Sequence, residues 1–257
     1  MEALCYNRAK VNRRQDWNMK VKLYTIPIKE AFNADCECPI CYMRSTLESK
    51  AVDFTMGPSY MDDTIRAETD KVGFCNHHIQ MLYQNQNRLG LALILKTHMD
   101  KTIQDLEKLL KKETPLSSPS IFKKTSGKSG VITYTNQLEC SCYICNSIND
   151  SFDRYIDTIF SLVQNDSEFY DKFSTSKGFC TNHYRLLYEQ ASKHLKGDKR
   201  DDFIDKLNSV YINNFKRVRD DLDWFINKFD YRYVDEPWKD SKDALPRAIT
   251  KVNGILS

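Results

Sequence analysis

Eight of the nine cysteines and two of the five histidines fall into a spacing that suits metal ligation. In the first half of the chain, Cys36-Glu37-Cys38-Pro39-Ile40-Cys41 is followed by Gly73-Phe74-Cys75-Asn76-His77-His78. In the second, Cys140-Ser141-Cys142-Tyr143-Ile144-Cys145 is followed by Gly178-Phe179-Cys180-Thr181-Asn182-His183. Each half therefore reads C-x-C-x2-C, a gap, then G-F-C-x2-H. A C-x2-C knuckle lets two sulfurs reach one ion from a tight turn. A C-x2-H pair on the first turn of a helix does the same, because residues three apart share a face. The expected Cys3His sets are Cys38, Cys41, Cys75 and His78 in the first half, and Cys142, Cys145, Cys180 and His183 in the second.

Two ions of Zn2+, one per half, are the preferred cofactor, since C-x2-H is common at zinc sites. The extra cysteines, Cys36 and Cys140, keep an alternative open: with them as additional ligands, each half has the thiols for a [4Fe–4S] cluster and a redox or electron-transfer role. A weaker alternative is a thiol-disulfide oxidoreductase built on Cys38-Pro39-Ile40-Cys41. The paired Cys-x2-His has no part in that chemistry, and the second copy replaces the proline with Tyr143. Buried structural thiols explain one cysteine easily, but not eight at recurring chelate spacing. His77 has Asn182 as its counterpart and is left out of the site. His98 and His194, without cysteine neighbours, read as ordinary histidines. Asp62, Asp63 and Glu68 follow a Gly-Pro break and read as helix-capping carboxylates. No nucleophile–base arrangement or phosphate loop is present, so no catalytic residue is assigned and enzyme status stays open.

The registers of the two halves agree. Cys36, Cys38 and Cys41 precede Cys140, Cys142 and Cys145 by 104 positions, while Cys75 and His78 precede Cys180 and His183 by 105. One inserted residue in the gap accounts for the change, and the chain reads as an internal duplication. The elements that position the ligands are helices. Met99, Ile103, Leu106 and Leu110 form one apolar stripe, and Ile148, Phe152, Tyr155, Ile156, Ile159, Phe160 and Val163 a second. Ile204, Leu207, Tyr211, Phe215, Val218, Leu222, Phe225 and Phe229 form a third. All three are expected to be core. The fold class is mainly α, an internally duplicated helical protein with a Cys/His knuckle in each half. Residues 1–18 read as a disordered N-terminal extension, 19–112 as the first repeat, 113–137 as a flexible linker rich in Ser, Pro, Gly and Lys, and 138–257 as the second repeat. Within the linker, Val131-Ile132-Thr133-Tyr134 reads as a short extended piece. The aromatic C-terminal stretch, Phe229 to Tyr233 with Pro237 and Trp238, reads as a clamp folded back across the helices; a partner-binding surface is its alternative.

Eight glycines and seven prolines in 257 residues are too few for a turn-rich all-β chain. The net charge of +3 hides two basic segments, residues 1–22 and 111–128, on an otherwise acidic chain. Basic charge on tails and linkers does not make a nucleic-acid groove, so no nucleic-acid partner is expected, and a protein partner is left open. No apolar run approaches the ~18 residues of a membrane span, and the N-terminus lacks a signal-peptide stretch. The expected compartment is the cytoplasm, where thiols serve as ligands rather than disulfides.

Leu23-Tyr24-Thr25-Ile26-Pro27, Asp35-Cys36-Glu37-Cys38-Pro39, Gly57-Pro58-Ser59-Tyr60-Met61, Gly73-Phe74-Cys75, Asn87-Arg88-Leu89-Gly90-Leu91 and Lys228-Phe229-Asp230-Tyr231-Arg232 together resemble a bacterial family known only as domain of unknown function 6062. The resemblance runs from about residue 19 to the end and supports Met19 as an alternative start. It implies no activity. The resulting expectation is a metal-binding protein, with zinc preferred, in a structural or interaction role.

Overall fold

The structure, a computed structural model, describes residues 17–112 and 129–254, with side chains described for 24–111 and 129–254. Among these residues every regular element is a helix and no strand occurs. The order is α1 (Trp17–Asn33), α2 (Pro39–Met56), a 3-10 turn (Pro58–Met61), α3 (Asp63–Val72), α4 (Asn76–Gln84) and α5 (Arg88–Lys112). Then follow α6 (Gly130–Glu139), α7 (Tyr143–Asn165), α8 (Ser167–Thr175), α9 (Thr181–His194), α10 (Asp198–Asn227) and α11 (Ala244–Asn253). Two short 3-10 turns lie between α10 and α11.

These helices form two compact units that cut across the two sequence halves. A middle unit takes residues 48–150, and a terminal unit takes its described residues from 17–47 and 151–254. The expected repeats, 19–112 and 138–257, therefore do not coincide with the compact units. The reason lies in α2 and α7, each of which begins in one unit and ends in the other. The knuckle at the start of each helix thus belongs to a different unit from the residues at its end.

In the middle unit, α3 packs on α5, and α5 also meets α4 and α6. Asp62 caps α3 as the sequence suggests, its carboxylate accepting from Thr64 N–H at 2.8 Å and Ile65 N–H at 3.1 Å. Val131 to Tyr134, expected to be extended, are helical within α6. Ser129 caps that helix by accepting from the Ile132 N–H, and this local start outweighs the β-branched composition. Linker residues 130–137 thus belong to α6 and extension residues 17 and 18 to α1, while 113–128 and 1–16 lie outside the described residues. The stripe Met99, Ile103 and Leu110 on α5 is not core: all three are more than half exposed. Periodicity marks an apolar face, but not what covers it.

The terminal unit has the larger core. Phe32 of α1 contacts Phe169, Phe173 and Phe179, with ring centroids 4.9 to 6.3 Å apart. Phe203 of α10 joins Phe173 and Phe160 at 5.3 and 5.2 Å. The α7 stripe from Phe152 to Phe160 is buried as expected, and so are Leu207 and Val218 on α10. Each buried phenylalanine removes roughly 150–250 Å² from water, so this cluster dominates the unit's hydrophobic stabilisation. Helix α11 folds back onto α9 and α10, and its Lys251 is almost wholly buried. Phe229 and Tyr231, ahead of it, are mostly exposed.

Candidate metal centres

All eight expected ligands converge, but in crossed pairs. Cys38 and Cys41 meet Cys180 and His183 in the terminal unit, while Cys142 and Cys145 meet Cys75 and His78 in the middle unit. The expected sets, which joined Cys38 and Cys41 to Cys75 and His78, and Cys142 and Cys145 to Cys180 and His183, are corrected accordingly. Spacing fixes which two residues form a chelating pair. Which pairs meet depends on how the helices pack.

The local chain prepares each pair in the same way. Cys38 and Cys142 stand just before the first residues of α2 and α7, and Cys41 and Cys145 lie in their first turns. Cys75 and Cys180 are the N-caps of α4 and α9, with φ/ψ of −71°/165° and −74°/163°. Neither thiol makes a capping hydrogen bond, so both sulfurs are left for ligation. His78 and His183 follow one turn into the helix. Each cluster therefore sits at two helix N-termini, whose partial positive charge favours thiolates. Ahead of the Phe-Cys pair, Gly73 and Gly178 turn the chain at φ of 62° and 85°. In the middle unit the turn is then tied to the knuckle: Tyr143 N–H donates to Gly73 C=O at 2.9 Å, and the Ser141 hydroxyl donates to Val72 C=O at 2.6 Å. Pro39, at the position matching Tyr143, has no N–H to give. In the terminal unit the buried Lys251 ammonium takes that task, donating to the carbonyls of Glu37 (2.7 Å) and Lys177. It also pairs with the Glu37 carboxylate at 2.9 Å, which Arg217 holds at 2.6 Å.

In the terminal cluster, His183 Nδ1 lies 3.5, 3.2 and 3.2 Å from the sulfurs of Cys38, Cys41 and Cys180, and the Cys41 and Cys180 sulfurs are 3.6 Å apart. In the middle cluster, His78 Nδ1 lies 3.2, 3.3 and 3.3 Å from Cys75, Cys142 and Cys145, and the Cys75 and Cys145 sulfurs are 3.9 Å apart. A tetrahedral ion with metal–sulfur and metal–nitrogen bonds of about 2.3 and 2.0 Å spans edges of about 3.8 Å (S–S) and 3.5 Å (S–N). Both donor sets fit one such ion.

Electrostatics point the same way. Burial pushes the Cys38 thiol up to about 12. Cys41 is raised by its contacts with Cys180 and Cys38 and by burial, while Cys180 is held far below its usual range by hydrogen bonds from Cys38 and Cys41. In the middle cluster the hydrogen bond from Cys145 draws Cys142 down to about 3, and Cys145 is raised in turn. Burial works against charge on both histidines, yet neighbouring sulfurs raise His78, which Glu48 also assists, to about 10 and His183 to about 9. Each cluster is thus an electron-rich site that favours positive charge, and a bound cation would let the remaining thiols lose their protons.

Cys36 and Cys140 belong to neither four-residue set; the Cys36 thiol faces the Ala31 carbonyl at 3.8 Å. His98 donates from Nδ1 to the Asp70 carbonyl at 2.8 Å, and His194 stacks on Phe160 at 4.7 Å, as ordinary packed histidines do. His77, set aside on its register, is not ordinary. It meets Glu48 at 3.1 Å, and Glu48 meets His78 Nε2 at 2.9 Å, a third group of closely placed donors. The adjacent His77-His78 pair was the available sequence signal; Glu48, 30 residues away on α2, gave none.

Among the described residues the chain is thus all-helical, with two Cys3His clusters that could each hold a metal ion. The chain belongs to a family of unknown function, DUF6062, which matches residues 19–257. No curated protein and no solved structure gives a match. Among the described residues no helix is long and apolar enough to cross a membrane.

Proposed function

We propose that the chain is a zinc protein in which two Cys3His centres, each with four protein ligands, act as structural crosslinks for a surface that serves a protein partner. The observation that carries this reading is the spacing of the donor atoms, which in both clusters matches the edges of a single-ion tetrahedron. A cubane cluster binds each cysteine to a different iron and holds the sulfurs apart by its own width, so sulfurs 3.6 and 3.9 Å apart favour one ion over [4Fe–4S]. A thiol-disulfide role is disfavoured by the histidine nitrogen that closes each donor set. Ligation by thiolates suits a reducing compartment, hence the cytoplasm. The recurring motif suits an internal duplication whose two copies exchanged knuckles.

Four ligands leave no open position for substrate, so the ion's contribution is to folding. Cys41 and Cys180 are 139 residues apart, and closing a loop of that length is worth on the order of 5 kcal/mol of unfolded-state entropy. Anaerobic purification followed by metal analysis and a visible spectrum tests the reading. About two zinc per chain without a visible band is the expected result. Brown protein carrying iron and sulfide would replace it with the electron-transfer alternative, and metal-free protein would overturn both.

A further inference from the structure

We propose that the two centres differ in exchange: the middle centre is loaded and unloaded through an outer cation position formed by Glu48, His77 and His78, whereas the terminal centre is closed. This rests on the metal-binding reading above and assigns its two sites different roles.

Burial separates them first. Cys38, Cys41, Cys180 and His183 are all buried, whereas Cys75 and Cys145 are half-buried. The group facing the outer edge of each histidine separates them further. At His78 it is Glu48, whose Oε1 lies 2.9 Å from His78 Nε2 and 3.1 Å from His77 Nε2. The His77 side chain is 36% exposed and Glu48 17%, so solvent reaches this trio. One carboxylate oxygen and two imidazole nitrogens suit a divalent transition cation rather than magnesium or calcium. At His183 the matching position, 104 residues after Glu48, is Phe152, with its ring 5.9 Å from the imidazole. Arg44 lies over that ring at 5.5 Å, and Asn182 stands where the other half has His77. An apolar ring beneath a guanidinium gives an incoming cation no ligand and opposes its charge. The C-terminal segment adds cover, since Gly254 approaches the Cys41 sulfur and Lys251 is locked onto Glu37.

The histidine tautomer couples the outer and inner positions. Nε2 of His78, facing Glu48 beside His77, is the third donor of the outer position, and Nδ1, facing the sulfurs of Cys75, Cys142 and Cys145, is the donor of the inner one. Once Nδ1 takes the ion, Nε2 carries the proton and donates to Glu48, and the outer position is given up. The exchange is redox-neutral: metal–sulfur bonds replace S–H bonds, and the thiol protons pass to water.

The test is release of zinc from the loaded full chain to a chromogenic chelator, together with uptake of zinc by the stripped chain. Release in two phases of one ion each is expected, the fast one lost in Cys145→Ser and the slow one lost in Cys41→Ser. In His77→Ala and Glu48→Gln, which keep all eight inner ligands, uptake into the fast site should slow by about 10- to 100-fold with two ions still bound at the end. His77 is partly exposed, so its variant is not expected to disturb folding. Two ions leaving at one common rate, or uptake unchanged in both variants, would overturn this inference alone. A chain that takes up no zinc would overturn the proposed function itself.

Discussion

Gly73→Ala tests whether the backbone ahead of the middle cluster is held as described. Gly73 has φ 62° and ψ −152°, a region that residues with a Cβ enter only at a cost of roughly 1–3 kcal/mol. A Cβ built there would also lie 2.8 Å from two atoms of the His98 ring. That ring cannot step aside freely, because its Nδ1–H is bonded to the Asp70 carbonyl. Overpacking of this kind adds about 1–3 kcal/mol. The expected loss is therefore about 2–6 kcal/mol, or a fall in Tm of roughly 4–24 °C for a chain of this size. Thermal unfolding of the zinc-loaded protein, followed by circular dichroism, reads it. Gly73→Ala combined with His98→Ala should recover the steric share relative to His98→Ala alone, but not the backbone share. At an ordinary backbone position, glycine to alanine stabilises by about 0.4–1 kcal/mol. Unchanged or increased stability would therefore refute the described turn, and with it the account of how Cys75 is aimed.

Lys251→Met removes a buried ammonium that serves two carbonyls and Glu37; a loss of about 2–4 kcal/mol is expected, visible as a lower Tm, since Arg217 still partners the carboxylate. A change below about 0.5 kcal/mol, the range of a surface substitution, would show that the lysine is solvated. Cys36→Ser should leave both ions bound by metal analysis, because that thiol stands outside the donor sets; loss of an ion would restore Cys36 as a ligand.

The chelating pairs were legible because C-x2-C and C-x2-H constrain local geometry, and helix initiation at Pro39, Tyr143, Asn76 and Thr181 follows from it. Their partnership was not legible. Sequence proximity favours joining Cys41 to Cys75 over Cys180, but the closure entropies of loops of 34 and 139 residues differ by only about 1.3 kcal/mol. Packing easily exceeds that difference, as the aromatic core around Phe32, Phe173 and Phe179 does in the terminal unit. Glu37 and Lys251, 214 residues apart, were invisible for the same reason: a lysine in a terminal helix reads as solvated until its carboxylate partner is seen. The α5 stripe shows the converse, a clear period whose Met99 and Ile103 face solvent.

The crossed pairing itself is tested most directly by counting zinc with native mass spectrometry in two fourfold variants. One carries Cys38→Ser, Cys41→Ser, Cys180→Ser and His183→Ala; the other carries Cys38→Ser, Cys41→Ser, Cys75→Ser and His78→Ala. The crossed arrangement predicts that the first keeps a single ion, at Cys75, His78, Cys142 and Cys145, while the second, left with two ligands at each centre, keeps none. Retention of one ion by the second variant and none by the first would contradict it and return the ligands to their own halves of the sequence.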